Sequence, residues 1–150
     1  MKRYPMTLVL LLSLMFIAVV AWAAGEQTIN LKEGPDGKGA KGSAVIKDVE
    51  GTARGAEQKE ITISASGLQP DSVYTVWFVN EKPKMDMAGV GTGDFSFKSD
   101  SQGRGSYTAS VPASELQKWS LLEVALHPDG NPKNMDNIKI ALKADLKQPG

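Results

Sequence analysis

The stretch Gly67-Leu68-Gln69-Pro70-Asp71-Ser72-Val73-Tyr74-Thr75-Val76-Trp77-Phe78-Val79 decides the fold class. Residues 73–79 are apolar at odd and even positions alike, as in a strand covered on both faces. The Gly-Leu-Gln-Pro-Asp run before them is turn chemistry: glycine permits positive φ, proline fixes φ, and aspartate bonds its own backbone. A Leu-x-Pro turn followed by a tyrosine at the head of an apolar strand also matches a tyrosine corner. In such a corner the phenol bonds back to the upstream backbone and ties a crossing between sheets.

Working outward, the period is two almost everywhere, the sign of half-buried strands. Ala44 and Ile46 alternate with Val45 and Lys47. Ile61, Ile63 and Ala65 alternate with Thr62 and Ser64. Phe95 and Phe97 alternate with Ser96 and Lys98, and Tyr107, Ala109 and Val111 with Thr108 and Ser110. Leu122, Val124 and Leu126 oppose Glu123, Ala125 and His127, and Ile138, Ile140 and Leu142 oppose Lys139, Ala141 and Lys143. With residues 73–79 these make seven strands. Ile29 and Leu31 add an eighth, weaker one, read as an edge. A short helical turn is expected over 113–119, with Ser114 as N-cap and Gln117 completing a capping box. No helical pattern separates the strands, so a parallel α/β sheet is excluded. The expected fold is all-β, an immunoglobulin/fibronectin-III-like β-sandwich of 7–8 strands over residues 43–147. A polar, glycine-rich segment precedes it at 24–42.

The N-terminus reads as a targeting segment. Lys2 and Arg3 precede an apolar run over 7–20, and Ala21-Trp22-Ala23 offers small residues at the positions a signal peptidase reads. Residues 1–23 are thus expected to form a signal helix, cleaved or retained as an anchor. Export by a Sec-type route would place the domain in the periplasm or outside the cell, with membrane contact only if the anchor stays.

Removing that segment takes away Lys2 and Arg3 and leaves 15 basic against 17 acidic residues. Charge near neutrality gives no footprint for nucleic acid. The sequence has no cysteine. Disulfides, thiolate chemistry and blue-copper sites are excluded with it.

From residue 61 onward the order of features resembles the extracytoplasmic domain of anti-sigma-K-type proteins. The matching features are Gly67-Leu68-Gln69-Pro70, Tyr74 to Trp77, Gly93-Asp94-Phe95, Gly105-Ser106-Tyr107 and the strand 122–127 running into a Pro-Gly turn. The resemblance implies an immunoglobulin-like sandwich. Sigma binding is not carried over, because only six residues precede the apolar run here, where those regulators have a cytoplasmic sigma-binding region.

Catalytic signatures are missing. There is one histidine, no Gly-x-Ser-x-Gly elbow, and no lysine-bearing phosphate loop around Gly89-Val90-Gly91-Thr92-Gly93. Asp86, Asp94, Glu123 and Asp129 are acids that nothing in the sequence pairs. The remaining constellation is soft: Met85 and Met87 after the central strand, His127 at the end of a late strand, and Met135 in the next loop. Thioethers and imidazole suit Cu(I), so these four are the candidate metal ligands if their loops converge. Parity turns His127 away from Leu122, Val124 and Leu126, so it is read as a non-core residue. Tyr74, Trp77 and Phe78 are read as core, and Trp119 as core or an edge plug. The function expected is a non-enzymatic envelope module that binds a protein, surface polymer or small ligand. A copper carrier is the alternative.

Overall fold

The computed structural model describes residues 25–49, 53 and 57–147. The expected signal helix lies outside them. The described residues form nine strands and one helical turn: β1 Glu26–Glu33, β2 Lys41–Asp48, β3 Gln58–Ser66, β4 Val73–Asn80, β5 Asp86–Gly89, β6 Ser96–Lys98, β7 Gly105–Pro112, α1 Ala113–Leu116, β8 Leu121–His127 and β9 Lys139–Asp145. Every pairing is antiparallel. The strands make one curled sheet in the order β5-β4-β8-β9-β1-β2-β3-β7, with β6 also paired to β4.

The weak N-terminal strand is a correction. It is not an edge. β1 pairs with β2 from Glu26 to Leu31 and with β9 at Lys32 and Glu33, so it joins the two halves of the sheet. Its apolar side chains are few because only Ile29 and Leu31 face the core.

The curl brings alternate residues of both halves into one core. Ile29, Ala44, Ile46, Ile61 and Ile63 come from one half, and Tyr74, Val76, Phe78, Leu122, Val124 and Leu142 from the other. Period-two burial at about 25 cal/mol per Å² of apolar surface is what fixes this register. Trp119 is core too, buried and stacked on Phe78 with ring centroids 6.1 Å apart.

The crossing from β3 to β4 is tied as the sequence implies. The Gln69 N–H donates to the Tyr74 hydroxyl at 2.9 Å. The Tyr74 ring is buried and stacks on Phe97 at 5.5 Å. Ser99 locks the same corner, accepting from the Ser72 N–H and donating to the Gln69 carbonyl.

The helical turn is shorter than expected and differently capped. Pro112 is the N-cap residue, without a side-chain capping bond, and Ser114 does not cap. Glu115 instead accepts from the Trp119 indole at 3.0 Å and from Lys118 at 2.9 Å. The turn therefore serves to seat Trp119.

Candidate functional site

β4 is apolar on both faces because both are covered. Tyr74, Val76 and Phe78 enter the main core, while Thr75 and Val79 are buried on the opposite face. On that opposite face the register sets Thr75 beside Ala125 and Val73 beside His127 on β8. His127 turns away from the core, as parity requires, yet it is only 1% exposed. His127 therefore lies off the main core, as its parity implies, and is nonetheless shielded from solvent. Residues 128–137 fold back over this face and cover it.

That covering loop is stiffened by its own side chains. Asp129 accepts from the Asn131 N–H at 2.9 Å and from the Asn134 amide at 2.7 Å. Asn131 accepts from the Lys133 N–H, and Asn134 from the Asp136 N–H. These bonds, led by the Asn131 N–H, hold the Asp129 carboxyl below its usual range.

A buried chain of hydrogen bonds runs beneath the loop. The Trp77 indole N–H donates to the Thr75 hydroxyl at 2.7 Å. Thr75 and the His127 Nε2 lie 2.7 Å apart, and the His127 Nδ1 lies 3.0 Å from the Asn134 carbonyl. A carbonyl only accepts, so Nδ1 carries a proton, and in the neutral ring Nε2 accepts from the Thr75 hydroxyl. Every polar atom of the chain then has a partner.

Trp77 is a correction to the sequence reading. It is half-buried on the outer face and does not belong to the main core. It forms an edge-on pair with Phe95, with centroids 5.5 Å apart and planes at 63°, an arrangement that aromatic quadrupoles favour. Phe95 is displaced as well. Alternation with Phe97 would put it in the core, but its φ is +58°, a left-handed conformation that a bulky residue rarely adopts. That twist just before β6 throws the ring to the outer face, while the Phe95 carbonyl still accepts from the Val76 N–H at 3.0 Å. Gly89, opposite Trp77 in the register, makes room for it. A Cβ there would lie 2.1 Å from two Phe95 ring carbons.

The result is an open groove of about 720 Å³ lined by Trp77, Gly93, Asp94, Phe95, Pro132, Lys133 and Met135. Asp94 accepts from the Ser96 hydroxyl at 2.6 Å and its N–H at 3.2 Å. The hydroxyl bond chiefly, with nearby Lys133 assisting, keeps the carboxyl below its usual range. On the far side of Trp77, β8 places Glu123 directly opposite it. Burial pushes the Glu123 carboxyl up despite Lys143, 3.5 Å away.

The four candidate metal ligands are not brought together. Met87 lies on β5 opposite Val79, and His127 lies opposite Val73. Six residues along a strand separate those positions, about 20 Å at roughly 3.3 Å per residue. Met85 is exposed beside Asn80, Lys82 and Asp86, beyond the same end as Met87. Only Met135 lies toward the His127 loop, on the groove wall. The condition on which a shared site depended is not met, because β4 and β8 are antiparallel: the segment leaving β4 and the segment leaving β8 start at opposite ends. The two ring nitrogens of His127 are also engaged. Among the described residues no three His, Cys, Asp or Glu side chains form a cluster that could hold a metal ion.

The candidate acids are likewise apart in their bonding. Asp86 accepts from the Met87 N–H, Asp94 from Ser96, Asp129 from its own loop, and Glu123 pairs with Lys143. Sequence reasoning missed Phe95 as a groove residue; the Gly93-Asp94 pair before it was the available signal of a turn. No family model, no curated protein and no solved structure matches this chain.

Proposed function

We propose that this chain is an exported, non-enzymatic binding module of the cell envelope, and that the Trp77–Phe95 groove is its ligand site. The scaffold in this reading is an immunoglobulin-like β-sandwich. Its support is the curled antiparallel sheet together with the Tyr74 corner. Export rests on the anatomy of residues 1–23: a basic start, an apolar run and small residues at its exit.

One observation carries the choice of site. Phe95 is held in a left-handed conformation so that its ring stands beside a half-exposed indole. Strain of this kind costs about 1–3 kcal/mol and persists where surrounding structure over-determines it, often at ligand clamps. Here the surroundings are Gly89 under the ring and the Thr75–His127 bond behind the indole.

Two measurements test the proposal. Fractionation of the producing cell, with N-terminal sequencing of the product, is expected to give an extracytoplasmic chain beginning at residue 24 or 25, or an intact membrane-anchored one. A full-length cytoplasmic product would refute export. Soluble envelope extract is expected to raise the melting temperature, since a ligand that binds only the folded state stabilises it. A Trp77→Ala variant that gains as much as the parent would remove the groove from the proposal.

A further inference from the structure

We infer that the groove's ligand is an uncharged hexopyranose chain, bound with one sugar ring against Trp77; this inference rests on the binding-module reading above. The first argument is what Trp77 has left to offer. Its N–H is committed to Thr75 at 2.7 Å, so the indole presents a π face and carbon edge without an open polar demand. A pyranose ring has a face of C–H groups, and the negative face of an aromatic ring attracts them. Phe95, set at 63° to Trp77, turns the floor into a floor and a wall. Met135 and Pro132 continue the apolar lining.

The second argument is the polar rim. Asp94 and Lys133 both line the groove and are close enough to influence each other's charge. A ligand carrying net negative charge meets Asp94, and one carrying net positive charge meets Lys133. The complementary edge is neutral and both donates and accepts. Sugar hydroxyls do both, giving a proton to the carboxylate and taking one from the ammonium. Ser96 occupies part of Asp94, but a carboxylate offers about four acceptor positions. An apolar aromatic side chain from a protein partner would fill the floor and leave both rim charges without a use.

The third argument is size and rigidity. The groove of about 720 Å³ is open and falls in the range of roughly 300–1,000 Å³ typical of small-ligand sites. It is bordered by a loop held by the successive Asp129, Asn131 and Asn134 turns. A platform already fixed in its bound shape loses little freedom on binding.

The test is titration of the purified ¹⁵N-labelled chain with neutral hexaoses of glucose and of N-acetylglucosamine, in α- and β-linked forms, and with a Phe/Trp-bearing decapeptide. The readout in the parent is the Trp77 indole N–H resonance, identified by its loss in Trp77→Phe, and the affinities of parent and variants are compared by calorimetric titration. At least one hexaose is expected to shift it saturably. Trp77→Ala and Asp94→Asn are each expected to weaken that binding about tenfold or more, with melting curves confirming that both variants fold. If Trp77→Ala fails to fold, Trp77→Phe and Lys133→Ala give the same comparison. A shift with the peptide alone would overturn the sugar assignment while leaving the groove as a site. No shift with any probe, and extract stabilisation indifferent to Trp77, would overturn both. Sugar binding insensitive to Trp77 and Asp94 would place the sugar elsewhere and overturn the inference.

Discussion

Replacing Thr75 with valine deletes one hydroxyl and leaves the shape of the side chain nearly unchanged. Thr75 is fully buried and its hydroxyl holds two partners, the Trp77 indole N–H and the His127 Nε2. Each such bond contributes about 1 kcal/mol net, and leaving a buried polar atom unpaired costs about 1–3 kcal/mol. His127 is buried, so its Nε2 finds no water in exchange, whereas half-buried Trp77 recovers part of its loss. The expected destabilisation is about 2–4 kcal/mol. The control is Thr75→Ser, which keeps the hydroxyl and removes one methyl, a loss of about 1 kcal/mol. Urea unfolding at constant m reads the difference directly: a 3 kcal/mol loss moves the midpoint by about 1–3 M. The Trp77 indole resonance should also shift and broaden in the valine variant and stay in place in the serine one. If valine is as stable as serine to within about 0.5 kcal/mol, the hydrogen-bond chain is not what holds Trp77, and the reasoning about a prearranged groove fails.

Other substitutions probe separate parts. Gly89→Ala puts a methyl where the Phe95 ring lies, so the ring must leave; overpacking of this kind costs about 1–3 kcal/mol, and thermal melting together with loss of ligand-induced stabilisation would show it. Tyr74→Phe removes the acceptor of the Gln69 N–H and should cost about 1 kcal/mol in urea, with unchanged ligand response because the corner lies on the core face. Glu123→Gln tests the burial of that carboxyl through pH. A raised folded-state pKa means the folded chain binds the proton more readily, so stability is lost as pH rises from about 4.3 through the folded-state value. Glutamine does not titrate there, so the variant should gain on the parent between pH 4 and pH 7, and a pH-independent difference would contradict this.

The strands were legible wherever one face met the core and the other met water or a thin cover. β3 and β7 alternate in sequence and do so in the structure, whereas β8 alternates only as far as Val124 and is buried from there to His127. The Tyr74 corner was legible because its turn and its phenol are close in the chain. β5 was not: Asp86-Met87-Ala88-Gly89 has little strand propensity, and it is extended because the edge of β4 pairs with it. The groove was hidden for a related reason. Alternation says which way His127 points, but not that residues 128–137 fold back over it, and a strand apolar at nearly every position, as β4 is, has no parity to turn Trp77 outward. Phe95 broke its own pattern through a single positive φ, which moved a ring from one face of the sheet to the other.

β1 joins the two halves of the sheet, with β2 on one flank and β9 on the other. Its second partner is made more than a hundred residues later. A chain that emerges N-terminus first therefore carries its seam strand with one flank unpartnered until β9 has been made, and the curl closes only then. Contacts this distant in sequence slow folding. If the chain crosses a membrane unfolded, as we propose, that delay helps it, because β9, which shuts the sheet against β1, follows every other described strand.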